Sequence, residues 1–277
     1  MTGRGKETIV DIDAIAAEAF SLIGSGRQTA PFTARDPAFD LDHAYRVTAA
    51  VARLRRARGE VPIGRKIGFT NRTIWAEYGV FAPIWGHVYN SSVHDLALIG
   101  GTFSLAGLIE PRIEPEIVFG LAAAPSPGMD ETALLACIDW VAHGFEIVQS
   151  IFPSWKFAAA DTVAGYGLHG ALLIGPRHPV ASDVAAWQRT LSAFDIDLKQ
   201  DGKIMEHGRA ANVLDGPLLA LRHLVELLAL DTINPPLAAG EIVTTGTLTR
   251  ALPVAPGQTW QTRLEGIALE PIAVRFT

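Results

Sequence analysis

The period of the hydrophobic pattern changes along the chain. The first hundred residues read as mainly helical. "DAIAAEAFSLIGSG" (13–26) begins at an aspartate and runs out in glycines, the usual bounds of a helix. "DLDHAYRVTAAVARLRRARG" (40–59) predicts a longer helix, with Leu41, Tyr45, Val47, Val51 and Leu54 along its apolar face and Gly59 as its stop. "VPIGRKIGFT" (61–70) then breaks the pattern into short, glycine-punctuated pieces.

From about residue 100 the pattern is mostly that of strands. "RIEPEIVFGL" (112–121) predicts one and "HGFEIVQSIF" (143–152) another, the latter following a predicted helix in "DETALLACIDWVAH" (130–143). "GALLIG" (170–175) is a short buried run. In "LSAFDIDLKQDGKIMEHG" Phe194, Ile196 and Leu198 alternate with Asp195, Asp197 and Lys199, and Asp201-Gly202 supplies a two-residue turn, so a hairpin is expected. "DGPLLALRHLVELLAL" (215–230) carries proline near its start and reads as helix, and "AGEIVTTGTL" (239–248) as strand. Strands and helices do not alternate in βαβ rhythm, which argues against a Rossmann fold or a parallel barrel. An α+β fold around a mixed or antiparallel sheet is expected.

A chain of 277 residues suits one large domain, or a main domain with a smaller partner. Its net charge of -6 gives no electrostatic footprint for nucleic acid or an anionic membrane. The basic run "RLRRARG" (53–59) closes a predicted helix, where cations suit the negative end of the helix dipole. Cys137 is the single cysteine, so no intramolecular disulfide and no CxxC motif exist. The opening "MTGRGKETIVDID" lacks the apolar centre of a signal peptide, and no apolar run approaches the ~20 residues of a membrane span. The expectation is a soluble, cytoplasmic protein without nucleic-acid or membrane partners.

The unusual chemistry is acidic. On a strand, Glu114 and Glu116 share one face with Cα atoms about 6.5–7 Å apart, and Pro115 points the other way. Two carboxylates at that spacing can converge on one cation, and oxygen-only ligands favour Mg²⁺, Mn²⁺ or Ca²⁺ over zinc. Glu146, flanked by apolar residues in "GFEIVQS", is the candidate third ligand. Spacing alone leaves a second reading open: three ordinary glutamates on the wet faces of half-exposed strands.

Five segments in order, "GRKIGFTNRTIWAEYGVFAPIWG", "RIEPEIVFGL", "IDWVAHGFEIVQS", "WKFAAADTVAGYG" and "AGEIVTTGTLTRALPVAPG", resemble the fumarylacetoacetate hydrolase superfamily. Within it they resemble the branch of 2-keto-4-pentenoate hydratases and 4-oxalocrotonate decarboxylases. The resemblance implies a mixed β-sandwich roll over residues 101–277, with a smaller, mainly helical N-terminal region over 1–100, and homo-oligomeric assembly. It implies Mg²⁺ or Mn²⁺ on Glu114, Glu116 and Glu146, catalytic roles for Lys66 and Asp161, and substrate contacts from Thr245, Gly246 and Thr247. Lys66 would place positive charge by the substrate, and Asp161 would act as general base or hold water or Lys66; a surface lysine and a helix cap are the alternatives.

The chain departs from the branch after "DTVA". Where hydratases continue into D-N-x-S, Gly165, Tyr166, Leu168 and His169 stand instead. His169 is either a replacement acid–base group or a structural histidine, and Tyr166 is equally open. Arg65 and Arg112 adjoin the key segments but are expected to point away from Lys66 and the acids. The implied activity is a metal-dependent lyase acting on a small 2-oxo or 2-hydroxydienoic acid, foremost a 2-keto-4-pentenoate hydratase. A 4-oxalocrotonate-type decarboxylase is the alternative, and an acylpyruvate hydrolase or a non-catalytic homologue comes after it.

Overall fold

Two β-sheets and a helical layer make up the molecule, seen in a computed structural model that describes residues 10–72, 75–78 and 80–277, with backbone only at Glu77 and Tyr78. Residues 1–9, which include most of the stretch read above for a leader, lie outside the described residues, as do Thr73, Ile74 and Gly79. The helices are α1 (Ile12–Leu22), α2 (Phe32–Arg35), α3 (Leu41–Ala57), α4 (Trp75–Tyr78), α5 (Glu131–Ala136), α6 (Ala159–Ala164), α7 (Val184–Thr190) and α8 (Pro217–Leu230). The strands are β1 (Pro62–Gly68), β2 (Ile84–Tyr89), β3 (Val93–Asp95), β4 (Thr102–Phe103), β5 (Arg112–Leu121), β6 (Ile138–Val148), β7 (His169–Pro179), β8 (Asp195–Gln200), β9 (Lys203–Arg209), β10 (Ile242–Thr244), β11 (Leu252–Pro253), β12 (Thr259–Glu265) and β13 (Ala273–Phe276).

The larger sheet runs β2-β1-β10-β5-β6-β7-β3, with β11 added to β5. It is mixed: β1 pairs β10 and β3 pairs β7 in parallel, and the remaining pairs are antiparallel. The smaller sheet runs β4-β13-β12-β8-β9. Its β8–β9 hairpin turns on Asp201 and Gly202, both at positive φ, the conformation a two-residue turn of this kind needs. The two sheets share a core: Ile113, Phe145, Ile147 and Leu173 of the larger pack with Leu198, Trp260, Val274 and Phe276 of the smaller. α5, α7 and α8 cover another part of the larger sheet, where Ile117, Phe119 and Val141 meet Leu134, Trp187, Leu221 and Leu224.

The N-terminal helices follow their sequence signals closely. Asp11 caps α1 and Asp40 caps α3 through side-chain oxygens, satisfying N–H groups that the first helical turn leaves unpaired. On α3, Val47 and Val51 are buried, but Leu41 of the expected apolar face is 41% exposed and Ala44 takes the core position instead. α3 ends at Ala57, and the short α4 is the only further α-helix before residue 100 among the described residues. The first hundred residues also supply β1, β2 and β3 to the larger sheet, which the glycine-broken pattern concealed. The predicted helix over 130–143 is a single short helix, α5, and its second half is already strand β6. There Ile138 and Val141, β-branched and buried, fit the pleated surface against β5 better than a helix.

Candidate metal centre and active site

Strand alternation on β5 sends Ile113, Ile117 and Phe119 into the cores described above and turns Glu114 and Glu116 to the opposite face. Register then brings in Glu146, which lies directly across from Glu114 on β6. Carboxylate oxygens of Glu114, Glu116 and Glu146 all lie within 4.8 Å of one another. Like charges placed opposite each other on neighbouring strands are destabilising unless a cation joins them.

Part of that positive charge comes from β1. The buried Lys66 Nζ lies 3.0 Å from Glu146 Oε2, a charge contact without the alignment of a hydrogen bond, and donates to the Gly167 carbonyl at 3.0 Å. Gly167 has φ +64°, and a Cβ there would come within 2.9 Å of the Lys66 side chain.

The two deepest acids are each gripped from one side. Glu116 Oε2 accepts from Thr244 Oγ1 of β10 and, at 2.9 Å, from the Gly246 N–H, while its Oε1 has no hydrogen-bond partner among the described residues. Glu146 Oε1 meets His169 Nδ1 at 2.8 Å, and the other ring nitrogen of His169 meets Ser92 Oγ at 2.8 Å. One oxygen of each buried carboxylate is thus hydrogen-bonded to the protein, and the other has no hydrogen-bond partner among the described residues. Half-buried Glu114 completes the group at the wall of a cavity of about 280 Å³.

The proton balance shows what is missing. Burial, reinforced by Glu146, raises the Glu114 pKa to about 7 against the pull of Lys66. Burial, with Glu146 and Glu114, holds Glu116 well above the usual carboxylate range. Burial would also raise Glu146, but the Lys66 ammonium and the His169 hydrogen bond outweigh it and bring that group down. Burial would lower Lys66, but Glu146, Glu114 and Glu116 outweigh it and hold the ammonium up. The Lys66 ammonium brings down one carboxylate, while Glu114 and Glu116 stay above the usual range even with the pull of Lys66 on both and of Arg112 on Glu114. Unsatisfied buried oxygens, an all-carboxylate donor set and a deficit of positive charge fit a hard divalent ion.

The remaining site residues are placed unevenly. Gly246 and Thr247 line the cavity. Gly246, at φ +99°, is irreplaceable on steric grounds, since a Cβ would lie 2.0 Å from Thr70 Oγ1. Thr245 is fully buried and is spent on the backbone, its hydroxyl donating to the Ile117 carbonyl at 3.0 Å. Asp161 is not brought to the cluster. Its carboxylate accepts from Thr33 N–H at 3.0 Å, Thr33 Oγ1 at 2.6 Å and Ala158 N–H at 2.9 Å, which ties α6 to α2 and caps it. Tyr166 turns its hydroxyl to the Ala19 carbonyl of α1 and packs among the N-terminal helices.

Arg65 lies beside Glu241 and Trp85, away from the acids as expected. Arg112 is a correction. It has the same parity on β5 as Glu114 and Glu116, so alternation puts it on their face, and it lines the cavity. Thr70, Trp155, Phe157, Leu168, Arg250 and Leu252 line it as well, and only the folded chain brings these dispersed positions together.

Residues 98–270 match the family model described as fumarylacetoacetate (FAA) hydrolase C-terminal. The chain is 32% identical over 263 residues to a 2-hydroxyhexa-2,4-dienoate hydratase of Comamonas testosteroni, covering 93% of this chain and 94% of that one. It is 31% identical over 236 residues to a 4-oxalocrotonate decarboxylase of Pseudomonas sp. (strain CF600), covering 84% of each. Among solved structures it matches the 4-oxalocrotonate decarboxylase from Pseudomonas putida G7 complexed with magnesium and adipate, over 100% of both chains with a TM-score of 0.86 and 26% identity. With its acids, its lysine and its family-wide match in place, the chain belongs to the fumarylacetoacetate hydrolase family.

Proposed function

We propose that this protein is a divalent-metal-dependent lyase that hydrates a small 2-hydroxy-2,4-dienoic acid, with Lys66 and the triad Glu114, Glu116 and Glu146 at the centre of the reaction. The observation that carries this reading is the meeting of three carboxylates and one ammonium at a cavity, with buried oxygens of Glu116 and Glu146 left unbonded among the described residues. Mg²⁺ or Mn²⁺ held by the triad supplies Lewis-acid polarisation of the substrate's 2-oxo or 2-enol oxygen.

The chain's own residues do the rest. Lys66 Nζ, fixed by the Gly167 carbonyl, sets a positive charge where the enolate's negative charge develops and holds a proton there. His169 and Thr244 keep Glu146 and Glu116 in register through their second oxygens. Phe69, Ile84, Val148, Phe157 and Leu168 give the cavity an apolar wall that excludes bulk water from the conjugated chain. Gly246 and Thr247 shape the substrate's side of the pocket. Asp161 enters by anchoring α6, the helix leading to the segment 165–169 that carries the Gly167 carbonyl and His169.

The decarboxylase reading is second, supported by the structural likeness over the whole chain. Two finer parts of the proposal are a β-sandwich roll, supported by the core shared between the two sheets, and homo-oligomeric assembly, supported by exposed Phe81, Leu98 and Leu230. A cytoplasmic setting follows from the sequence reading alone.

The test is direct. Mg²⁺-loaded protein should consume 2-hydroxypenta-2,4-dienoate, or a longer homologue, with loss of diene absorbance, and Glu116→Ala should abolish this. Release of CO₂ from 4-oxalocrotonate without diene hydration would select the decarboxylase. Turnover of neither would sink the lyase reading.

A further inference from the structure

We infer that Tyr166 is a positioning residue for Lys66: by fastening a left-handed turn to helix α1, it holds in place the Gly167 carbonyl that fixes the ammonium. The inference rests on the role proposed for Lys66 and deepens it. Tyr166, Gly167 and Leu168 all have positive φ, at 61°, 64° and 64°. Glycine takes that region freely, but tyrosine and leucine enter it against the contact of Cβ with the following carbonyl oxygen. Strain of this kind persists where the surroundings over-determine it, and it gathers at functional sites. Here the strained turn meets the site twice. Its Gly167 carbonyl accepts from Lys66 Nζ at 3.0 Å, and Leu168 lines the cavity.

The turn is held from several sides. The Leu168 N–H donates to the Gly165 carbonyl at 2.9 Å, and the Leu168 carbonyl accepts from the Gln149 N–H at 2.8 Å. β2 backs the Tyr166–Gly167 peptide at Gly86, where a Cβ would lie 2.8 Å from the Tyr166 carbonyl oxygen. The Tyr166 side chain supplies the anchor. Its ring is buried in the apolar cluster of α1, α3 and α6, and its hydroxyl donates to the Ala19 carbonyl. That carbonyl belongs to the last turn of α1, whose carbonyls lack an intrahelical donor, and the Ile23 N–H bonds the Phe20 carbonyl at 3.3 Å instead. The tyrosine thus takes up an acceptor left over at a helix end and ties down a residue that its own backbone preference would move. Relaxation of the turn toward negative φ reorients its peptide planes and takes the Gly167 carbonyl off Lys66 Nζ. The ammonium then keeps Glu146 and loses its second fixed point.

The experiment compares wild type, Tyr166→Phe and Gly86→Ala, all Mg²⁺-loaded. Tyr166→Phe keeps the ring and removes the bond to Ala19. Gly86→Ala pushes on the same turn from β2 and leaves Tyr166 in place. The first readout is kcat and KM for 2-hydroxypenta-2,4-dienoate, per folded molecule by circular dichroism. The second needs no turnover. A buried, hydrogen-bonded ammonium exchanges its protons slowly enough to give its own proton–nitrogen NMR signal, assigned to Lys66 by its absence in Lys66→Met. The wild type should show that signal. Both variants should broaden or lose it and lower kcat by about 10–100-fold, with KM and Mg²⁺ affinity retained, because a displaced ammonium fails the developing charge rather than ground-state binding. A tyrosine that only filled the core would cost stability and move neither readout. The inference is overturned by a wild type without the protected signal, by a folded Tyr166→Phe protein with wild-type kcat and signal, or by variants whose Mg²⁺ affinity falls as far as kcat. If Tyr166→Phe does not fold, Gly86→Ala decides by the same criteria. A wild type that shows the signal but turns over no diene overturns the proposed activity and not the coupling, which loss of the signal in the variants still supports.

Discussion

Stripping divalent ions from the protein should reveal the cost of gathering three acids. In the ion-free protein, burial and Glu146 lift the Glu114 pKa from 4.5 to about 7. An acid whose pKa is higher in the folded state holds its proton there and releases it on unfolding. Its contribution is therefore full below pH 4.5 and is lost as the pH rises to 7 and beyond. At 1.36 kcal/mol per unit the loss over that window is about 3 kcal/mol. For a chain of this size that corresponds to a fall of about 5–10 °C in melting temperature. A bound divalent ion replaces the proton, so millimolar Mg²⁺ should flatten the profile.

The assay is thermal unfolding by circular dichroism between pH 5 and 8.5, in EDTA and in Mg²⁺, for wild type and Glu114→Gln. The glutamine cannot ionise, so its EDTA profile should lack the share of the fall that Glu114 contributes and keep the share of Glu116, which is also held high. Buried histidines cannot imitate the effect. Burial lowers His143 to about 4 and His87 to about 2, and groups depressed in this way add stability as the pH rises. Wild-type and Glu114→Gln profiles that run parallel in EDTA would refute the reasoning.

Other consequences can be checked singly. His169→Phe removes the partner of Glu146 Oε1 and should weaken Mg²⁺ binding by about 10–100-fold in calorimetry, with the fold kept by circular dichroism. Lys66→Met should reduce kcat by about 100-fold or more, yet tighten Mg²⁺, because a competing positive charge leaves the triad. Asp161→Ala strips Thr33 and Ala158 of their acceptor and should cost about 1–3 kcal/mol of stability in denaturant unfolding, with kcat per folded molecule retained. Gly246→Ala should lower activity sharply, because the new methyl group meets Thr70 Oγ1.

Much of the centre was legible because β-strand parity is a short-range rule. Two glutamates two residues apart on one strand must share a face, and a third acid between apolar residues on the next strand can meet them. The same rule places Arg112 beside them, so that position was readable from the sequence and was misjudged. What the sequence concealed is set by distant pairing. Thr244 reaches Glu116 and Thr33 reaches Asp161, each across 128 residues, and no local pattern announces either bond. His169 is a similar case: the replacement of a polar run after "DTVA" marked the place, but only β6–β7 pairing shows that its ring stands behind Glu146. The strand half of "DETALLACIDWVAH" was lost for another reason, since a short apolar stretch reads alike as helix or buried strand.

The groups that converge on the centre are drawn from residue 66 at one extreme to residue 246 at the other, through β1, β5, β6, β7, β10 and the turn after β10. No shorter piece of the chain holds them all. High-affinity ion capture therefore reports that synthesis has passed β10 and that long-range strand pairing is complete, which makes a fluorescent Mn²⁺ or lanthanide competitor a readout of maturation as much as of catalysis.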